Sequence, residues 1–340
     1  MACTAQADTL RLATYNAELS AEGPGLILQR LLRDDDPKLK AVVTVIAALD
    51  ADVLLITGID YDLRQVALDA LAMRLQKVGA IYPYQLALRP NTGIPTGFDL
   101  DANGQLGGPR DAQGYGRFAG QSGMAILSRL PIDLANARDF SGFLWAELPD
   151  NLMLPETSDI RAVQRLSSSG HWEVPILLPD GQSLRLLTYY ATPPVFDGPE
   201  DRNGRRNHDE TAFWLQLVEG KLAYPAPARP YVLLGQTNLD PLDGEGRPDA
   251  IMALLASTLL QNPEPRGNDG HVDIDHRGDP ALDTAIYDAI GGLRVEQILP
   301  SRDLDVRASG VMWPTQNDPL SQTLATASRH RPVWIDITLP

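Results

Sequence analysis

The sequence predicts a mixed α/β fold in which two packed β-sheets are flanked by helices. Residues 231–234 form an apolar run without alternation that stops at Gly235, which is typical of a central strand covered on both faces. A helical period over Lys38–Leu49 leads into a second apolar run, 51–58, so helices and strands begin to alternate. Short strands outnumber helices along the rest of the sequence, and no repeat with a solenoid or propeller period is found. These features favour two sheets over one parallel sheet.

The remaining elements follow from the same patterns and from turn residues. We predict further strands at 10–15, 123–129, 184–190, 293–299 and 332–339, and a helix over 248–260. Residues 83–123 are rich in Gly, Asn, Asp and Pro, which predicts either a long ordered insertion or a mobile lid. A second loop insertion is predicted over 191–210. The predicted organisation is therefore one domain over 10–340, preceded by a residual export or linker segment at 1–9.

Composition limits the classes of partner. The 340 residues are 44% hydrophobic and 21% charged, which is ordinary for a globular protein. The formal net charge of -15 at pH 7 argues against broad, sequence-independent binding of nucleic acid, whose affinity depends on Lys and Arg. No apolar run has the length that spans a bilayer. The net charge does not exclude a local basic pocket.

The N-terminal segment bears on localisation. Cys3 is the one cysteine of the sequence, so no internal disulfide can form. The small polar residues that end in Ala5-Gln6-Ala7 are typical of the end of a secretory signal whose apolar part has been removed. We therefore predict a secreted or periplasmic protein; the alternative is a cytoplasmic chain with an uninformative start.

Several polar side chains follow predicted strands and are expected at one edge of the sheets. Asn16 follows the first strand, Tyr190 ends the strand at 184–190, and Gln236 and Asn238 follow the apolar run at 231–234. Side chains at strand ends reach solvent, and so the functional site is expected there. Asn16 taken alone can equally be a turn former.

A segment of the first insertion has the spacing of a calcium-binding loop. Asp99, Asp101 and Asn103 alternate and are followed by a glycine, as in the first half of such a loop. The acid expected at the twelfth position is Arg110, which excludes a complete helix-loop-helix site. A looser structural calcium site that also uses Asp111 is one interpretation. The alternative is an ion-free loop built from Asx turns.

A second insertion segment, 196–210, concentrates basic side chains in an acidic chain. Arg202, Arg205, Arg206 and His208 lie among several acidic residues close to the end of a predicted strand. Such a segment is either a solvated loop held by salt bridges or a bidentate anion-binding site.

These segments together resemble the endonuclease/exonuclease/phosphatase superfamily, and in particular its bacterial secreted branch. The resemblance is carried by 14–16, 97–118, 192–210, 276–280 and 299–302 and extends over essentially the whole sequence. It implies a fold similar to that of deoxyribonuclease I, a four-layer α/β sandwich with the site at the strand ends. It also implies hydrolysis of phosphoesters with a divalent metal, usually magnesium, held by an Asn, a Glu and a C-terminal Asp.

The sequence departs from this family pattern at three acidic positions. Asn16 matches the family asparagine, but Gly58 stands where the resemblance implies the metal-binding Glu. The family motif Gly-Asp-x-Asn becomes Gly-Gln-x-Asn, with Gln236 in place of the carboxylate and Asn238 retained. The family motif Ser-Asp-His becomes Ser-Arg-His, which puts Arg329 at a metal-side carboxylate position. Gly58 and Arg329 are thus degenerate metal positions, and no catalytic magnesium is expected.

Three hypotheses of function follow from these observations. In the first, the chain is a catalytically degenerate member, a pseudoenzyme, that binds a small anionic or phosphorylated ligand without metal. Arg329 then lies over the space left at Gly58, beside Asn16, Tyr190, Asn238 and His330. In the second, it is a hydrolase that uses His330 with Glu296 as an acid/base pair and Tyr190 as a proton donor. In the third, it is a secreted domain that binds a partner protein through its two loop insertions. Whether the protein is an enzyme is left open.

Overall fold

A computed structural model describes residues 9–268 and 276–339 of the chain. Its strands are β1 (Thr9–Leu19), β2 (Val53–Ile59), β3 (Tyr84–Leu86), β4 (Gly123–Ser128), β5 (Arg138–Asp139), β6 (His171–Leu177), β7 (Ser183–Tyr190), β8 (Tyr231–Gln236), β9 (Ala285–Tyr287), β10 (Gly291–Leu293), β11 (Glu296–Pro300), β12 (Val306–Val311) and β13 (Val333–Thr338). Its α-helices are α1 (Leu26–Leu32), α2 (Pro37–Leu49), α3 (Val66–Lys77), α4 (Ser158–Arg161), α5 (Arg202–Val218), α6 (Asp249–Leu255) and α7 (Pro319–Ala327). Cys3 and residues 1–8 of the proposed export segment lie outside the described residues, so export stays a prediction.

The strands form two large sheets and a small hairpin. The first sheet has the order β12-β13-β1-β2-β4-β3, and the second has the order β11-β8-β7-β6-β5. Strands β9 and β10 pair as a separate hairpin. Each large sheet contains one parallel pair, β1 with β2 in the first and β7 with β8 in the second. Strand β8 lies between β7 and β11, and all of its residues are buried, as its unbroken apolar run predicts.

Three apolar cores separate four layers. Leu12 of β1 and Val232 of β8 belong to the core between the two sheets. The next residue of β1, Ala13, faces the opposite way and belongs to the core under α2 and α3, because successive side chains of a strand point to opposite faces. Helices α5 and α6 cover the outer face of the second sheet. The predicted two packed sheets flanked by helices, and the four-layer sandwich implied by the resemblance, are confirmed.

Several predicted elements differ from the structure. The first strand continues to Leu19 instead of ending at Tyr15, so Asn16 lies within β1. Residues 202–210 are the first half of helix α5 and not a loop, and helix α6 ends at Leu255 instead of residue 260. The predicted strand at 293–299 is divided between β10 and β11. The first half of α5 was not recognised because it buries polar side chains, among them Asn207 and Glu210, so its inner face carries no apolar period.

The segment 83–123 has few regular elements but is tied to the body of the protein. It contains β3 and a single 3-10 turn at Pro109–Asp111. The buried amide of Asn91 donates to the carbonyl oxygens of Ser141 at 2.6 Å and Ser167 at 2.8 Å. These contacts support an ordered insertion over a mobile lid. None of the helices within the described ranges has the length and apolar character needed to cross a membrane.

Candidate functional site

The polar strand-end residues meet at one edge of the two sheets. The carboxyl ends of a parallel pair lie at the same edge, so β1 and β2 present Asn16 and Thr57 together, and β7 and β8 present Tyr190 and Gln236 together. Strand β11 runs antiparallel to β8, which places its first residue, Glu296, opposite Gln236. Residues far apart in sequence are thus gathered by topology.

A chain of neutral amides forms the floor of this edge. Asn16 Nδ2 donates to Gln236 Oε1 at 2.7 Å, and Thr57 Oγ1 donates to the same oxygen at 3.0 Å. Gln236 Nε2 donates to Asn238 Oδ1 at 2.6 Å, and Asn238 Nδ2 donates to the carbonyl oxygen of Ala191 at 2.7 Å. All of these side chains are buried. Each amide is satisfied by a protein partner and none carries charge.

Gly58 is required by the close approach of Asn16. Its φ is +71°, a conformation that favours glycine. A Cβ atom at this position would lie 2.3 Å from Asn16 Oδ1. That oxygen also accepts the backbone N–H of Glu18 at 2.9 Å, which fixes its position. The Asn16 amide therefore fills the space in front of Gly58.

His330 and Glu296 form a buried pair beside the amide chain. The distance from His330 Nδ1 to Glu296 Oε1 is 2.6 Å, and Nε2 lies 3.4 Å from Asn16 Nδ2. Because Asn16 Nδ2 can only donate, Nε2 is the acceptor and Nδ1–H donates to the carboxylate. Glu296 Oε2 has no hydrogen-bond partner among the described residues. Ser328 Oγ accepts the His330 N–H at 3.1 Å and donates to the Asn16 carbonyl oxygen at 2.8 Å, so it holds the imidazole next to Asn16.

Two tyrosines line the same site. Desolvation by burial raises the pKa of Tyr190, and the charge of Glu296 adds to this effect. Burial likewise raises the pKa of Tyr287, whose ring packs edge-on against His330 with centroids 6.0 Å apart. Both phenols are therefore neutral hydrogen-bond donors. Sequence reasoning missed Tyr287, because its strand, β9, has only three residues and reaches the site through a bridge between Ala285 and His330.

Arg329 does not lie in front of Gly58 as predicted. Its side chain is 56% exposed, and its Nε donates to Glu18 Oε1 at 2.6 Å. The guanidinium lies over the Tyr287 ring, 5.8 Å from the centroid. Glu18 Oε2 also contacts Lys38 Nζ at 3.4 Å. Burial alone would raise the pKa of Glu18, but Lys38 and Arg329 outweigh burial and lower it. Sequence reasoning missed Glu18 and Lys38, for which no pattern gave a signal.

The basic residues of the second insertion are engaged within the protein. Arg206 is buried and donates to the carbonyl oxygens of Leu166 at 2.8 Å and Ser167 at 3.0 Å. Arg202 donates to the carbonyl oxygen of Leu100 at 2.7 Å. His208 Nδ1 lies 2.8 Å from an oxygen of its neighbour Asp209. Residues 202–210, predicted as a loop, are therefore helical, and Arg202 and Arg206 donate to backbone carbonyl oxygens. The anion-binding interpretation of this segment stays a prediction.

The loop that resembles a calcium site gathers its acidic residues. One carboxylate oxygen from each of Asp99, Asp101 and Asp111 lies within 4.8 Å of the others. Asp111 is buried and accepts the backbone N–H groups of Leu100 at 2.8 Å and Gly108 at 2.9 Å. Asn103 Oδ1 accepts the Gln105 N–H at 2.8 Å. Three of the four predicted calcium ligands are thus brought together.

Comparison with known proteins identifies the family. A family model described as the Endonuclease/Exonuclease/phosphatase family matches residues 13–330. The chain belongs to this family. A search of curated proteins found no match for the chain.

Solved structures agree with the family at the level of the fold. The family protein from Beutenbergia cavernae is 16% identical, with a TM-score of 0.57 over 97% of this chain and 72% of that one. The one from Bacteroides vulgatus is 12% identical, with a TM-score of 0.55 over 98% of this chain and 100% of that one. The human Nocturnin catalytic domain, solved with a bound sulfate anion, is 14% identical, with a TM-score of 0.51 over 98% of both chains. At these identities the likeness shows the endonuclease/exonuclease/phosphatase fold alone.

Proposed function

We propose that this family member binds a small anionic ligand bearing a phosphate group and does not hydrolyse it by the metal-dependent mechanism of the family. The observation that carries the proposal is the hydrogen-bonded chain of Asn16, Gln236 and Asn238. Its central member, Gln236, stands where the resemblance implies the carboxylate that orients the nucleophile, and Asn16 fills the space in front of Gly58, where the resemblance implies the metal-binding Glu. Magnesium prefers anionic oxygen ligands and gives up its water reluctantly. Neutral amides that already satisfy one another do not fit that ion, so no step is assigned to it.

Positive charge at this edge comes instead from the chain itself. Arg329 and Lys38 both lie beside Glu18, and Arg329 is exposed. A guanidinium is permanently charged and bonds phosphate through several donors at once. The Tyr190 hydroxyl adds a further donor, since a phenol is neutral at pH 7 and burial raises its pKa further. These groups supply what a phosphate needs in the absence of a metal.

The first test measures binding of inorganic phosphate by calorimetry with chelator present. The expected result is binding that added magnesium leaves unchanged and that Arg329→Ala weakens by about fivefold or more, as loss of a charged hydrogen bond does. Arg307→Ala is the matched control: Arg307 is 55% exposed and pairs with Asp305, but it lies at the far end of β13, beside Thr338. Binding that requires magnesium, or equal effects of the two substitutions, would contradict the proposal.

A hydrolase without metal is the alternative, favoured by the 2.6 Å contact between His330 and Glu296. A histidine oriented by a carboxylate with its other nitrogen facing a site is a known acid/base arrangement. Tyr190 would then serve as the proton donor. Turnover of a phosphomonoester, phosphodiester or carboxylic ester in chelator, abolished by His330→Ala, would replace the binding proposal with this one.

We also propose that the loop of Asp99, Asp101 and Asp111 binds a structural calcium ion. Three carboxylates within 4.8 Å repel one another, and a hard cation relieves that repulsion. Calcium at a hundredfold excess over its Kd is expected to stabilise the fold by about 2.7 kcal/mol, seen as a higher Tm. Asp101→Asn should reduce the shift. Asp62→Asn, which alters a carboxylate that caps the backbone N–H groups of Val66 and Ala67, should not. If calcium does not change the Tm, the correct interpretation is the ion-free loop built from Asx turns.

A further inference from the structure

We propose that Asn103 is a site of spontaneous deamidation, in which Asp99 takes the proton from the attacking backbone nitrogen of Gly104. The product is an aspartate or an isoaspartate at residue 103, so the loop that holds the carboxylates of Asp99, Asp101 and Asp111 gains a further negative charge. This modification does not depend on the proposed phosphate site. Only its response to calcium rests on the proposed calcium site.

The pair Asn103-Gly104 has the sequence and the exposure that this reaction needs. An asparagine deamidates when the backbone nitrogen of the next residue attacks its side-chain amide carbon, and glycine has no side chain to hinder that attack. Asn103 and Gly104 are both exposed, and they lie in an irregular part of the first insertion. Water therefore reaches the amide, and no helix or strand fixes the backbone at this point.

Two hydrogen bonds of the loop favour the attack. The Gly104 N–H donates to Asp99 Oδ2 at 2.7 Å, so a carboxylate lies within reach of the proton that the nitrogen must lose. Asn103 Oδ1 accepts the Gln105 N–H at 2.8 Å, and this donor stabilises the negative charge that develops on the oxygen during the attack. Asp99 is itself held in place, because its Oδ1 accepts the Asn103 N–H at 3.1 Å.

The reaction balances with water as its only co-reactant. A bond forms between the Gly104 nitrogen and Asn103 Cγ while Asp99 accepts the proton of that nitrogen. The bond between Cγ and Nδ2 then breaks, and the side-chain nitrogen leaves as ammonia together with that proton. Water opens the resulting succinimide ring at one of its two carbonyl groups, which gives the aspartate or the isoaspartate.

The sequence contains a second Asn-Gly pair, Asn203-Gly204, which is expected to stay intact in the folded protein. It lies in the first turn of α5, where helical backbone angles keep the nitrogen of Gly204 away from the Asn203 side chain. Gly204 is buried, and Asn203 Nδ2 donates to the Val195 carbonyl oxygen at 2.7 Å. Ring closure at this pair requires the first turn of the helix to unwind.

The exposed turn at Asp180-Gly181 offers a matched control for the role of the carboxylate. Asp180 Oδ1 accepts the Gln182 N–H at 2.9 Å, which is the same Asx turn that Asn103 makes. The Gly181 N–H, however, donates to the carbonyl oxygen of Leu178 at 2.9 Å, and a carbonyl group is not a base. Asp180→Asn therefore introduces an exposed Asn-Gly pair with the same turn and without a carboxylate at the attacking nitrogen.

The experiment incubates the native protein and the variants at neutral pH in chelator and follows each peptide by mass spectrometry, with isoaspartate separated by chromatography. In the native protein, Asn103 is expected to deamidate while Asn203 stays intact. Asp99→Asn is expected to slow the reaction at Asn103 by about tenfold or more, because it keeps an acceptor for the Gly104 N–H but cannot take up a proton. Residue 180 of the Asp180→Asn variant should react at a similarly reduced rate. In urea the rates at Asn103 and Asn203 should become similar.

The outcomes that overturn the proposal are specific. An Asn103 that stays intact in the folded native protein excludes the site. A rate at Asn103 that Asp99→Asn leaves unchanged or increases excludes Asp99 as the base, and so does an equally fast reaction at residue 180 of Asp180→Asn. The second of these comparisons remains decisive if Asp99→Asn does not fold.

Calcium separates this inference from the proposed calcium site. An ion in the loop engages Asp99 and makes it less able to accept a proton, so added calcium is expected to slow the reaction at Asn103. Rates at Asn103, in Asp99→Asn and at residue 180 that all follow the expectation support the deamidation. An unchanged rate in calcium alongside them contradicts only the calcium site.

Discussion

Arg206→Met is expected to lower the free energy of unfolding by about 3–5 kcal/mol, because buried carbonyl oxygens lose a charged donor and Glu210 loses a nearby compensating charge. Arg206 donates to the carbonyl oxygens of Gln113, Leu166, Arg165 and Ser167. Burial lowers the pKa of its guanidinium to about 10, while Glu210 favours the charged form. Methionine fills a similar volume but donates nothing. The carbonyl groups lose their donors, and the buried Glu210 loses its cation.

Arg205→Met is the matched control for this prediction. Arg205 is the preceding residue of the same helix, and its Nε donates to the Glu200 carbonyl oxygen at 3.1 Å in an exposed position. Its replacement should change the free energy of unfolding by no more than about 0.5 kcal/mol. Urea denaturation of the three proteins measures both effects. Unchanged stability of Arg206→Met with weakened phosphate binding would instead support the ligand-binding role that the sequence suggests for this arginine.

Arg206 also shows which part of the fold the sequence could not predict. Strands β2 and β8 are buried along their whole length, so their residues are selected for apolar character at every position and are easily recognised. In helix α5 the buried face is polar instead. Arg206 and Glu210 lie on its inner face, where they bond backbone groups and the charge of each stabilises the charge of the other. A buried polar network has no apolar period. The same residues therefore suggest a solvated loop when only the sequence is known.

The candidate site divides in a similar way. The convergence of Asn16, Tyr190, Gln236 and His330 could be predicted, because each lies at or close to the predicted end of a strand and the sheet topology brings those ends together. The direction in which a long side chain points could not be predicted from the sequence. Arg329 turns to Glu18, and Glu18 is available only because the backbone of β1 bulges and adopts a positive φ at that residue. Neither feature is encoded by residue type alone.

Gly58→Ala is expected to lower the free energy of unfolding by about 3 kcal/mol, through backbone strain and a steric clash together. The φ of +71° disfavours any residue with a Cβ atom, and that atom would lie 2.3 Å from Asn16 Oδ1. Gly220→Ala measures the cost of backbone strain without the steric clash. Its φ is +70°, and nothing lies within 4 Å of the added Cβ. Its expected cost is about 1 kcal/mol, so the difference between the two variants measures displacement of Asn16.

A double-mutant cycle with Asn16→Ala identifies that clash directly. Because Asn16→Ala removes the atom that the new Cβ meets, Gly58→Ala should cost less in its presence, and the two effects should be coupled by about 1 kcal/mol or more. Additive effects would show that Asn16 is not what excludes a side chain at residue 58.

If the coupling is found, a glutamate at residue 58 cannot coexist with Asn16 in its present position. Gly58→Glu is then expected to lose stability and to gain no magnesium binding by calorimetry, because the carboxylate enters only by displacing the amide that anchors Gln236 and Glu18.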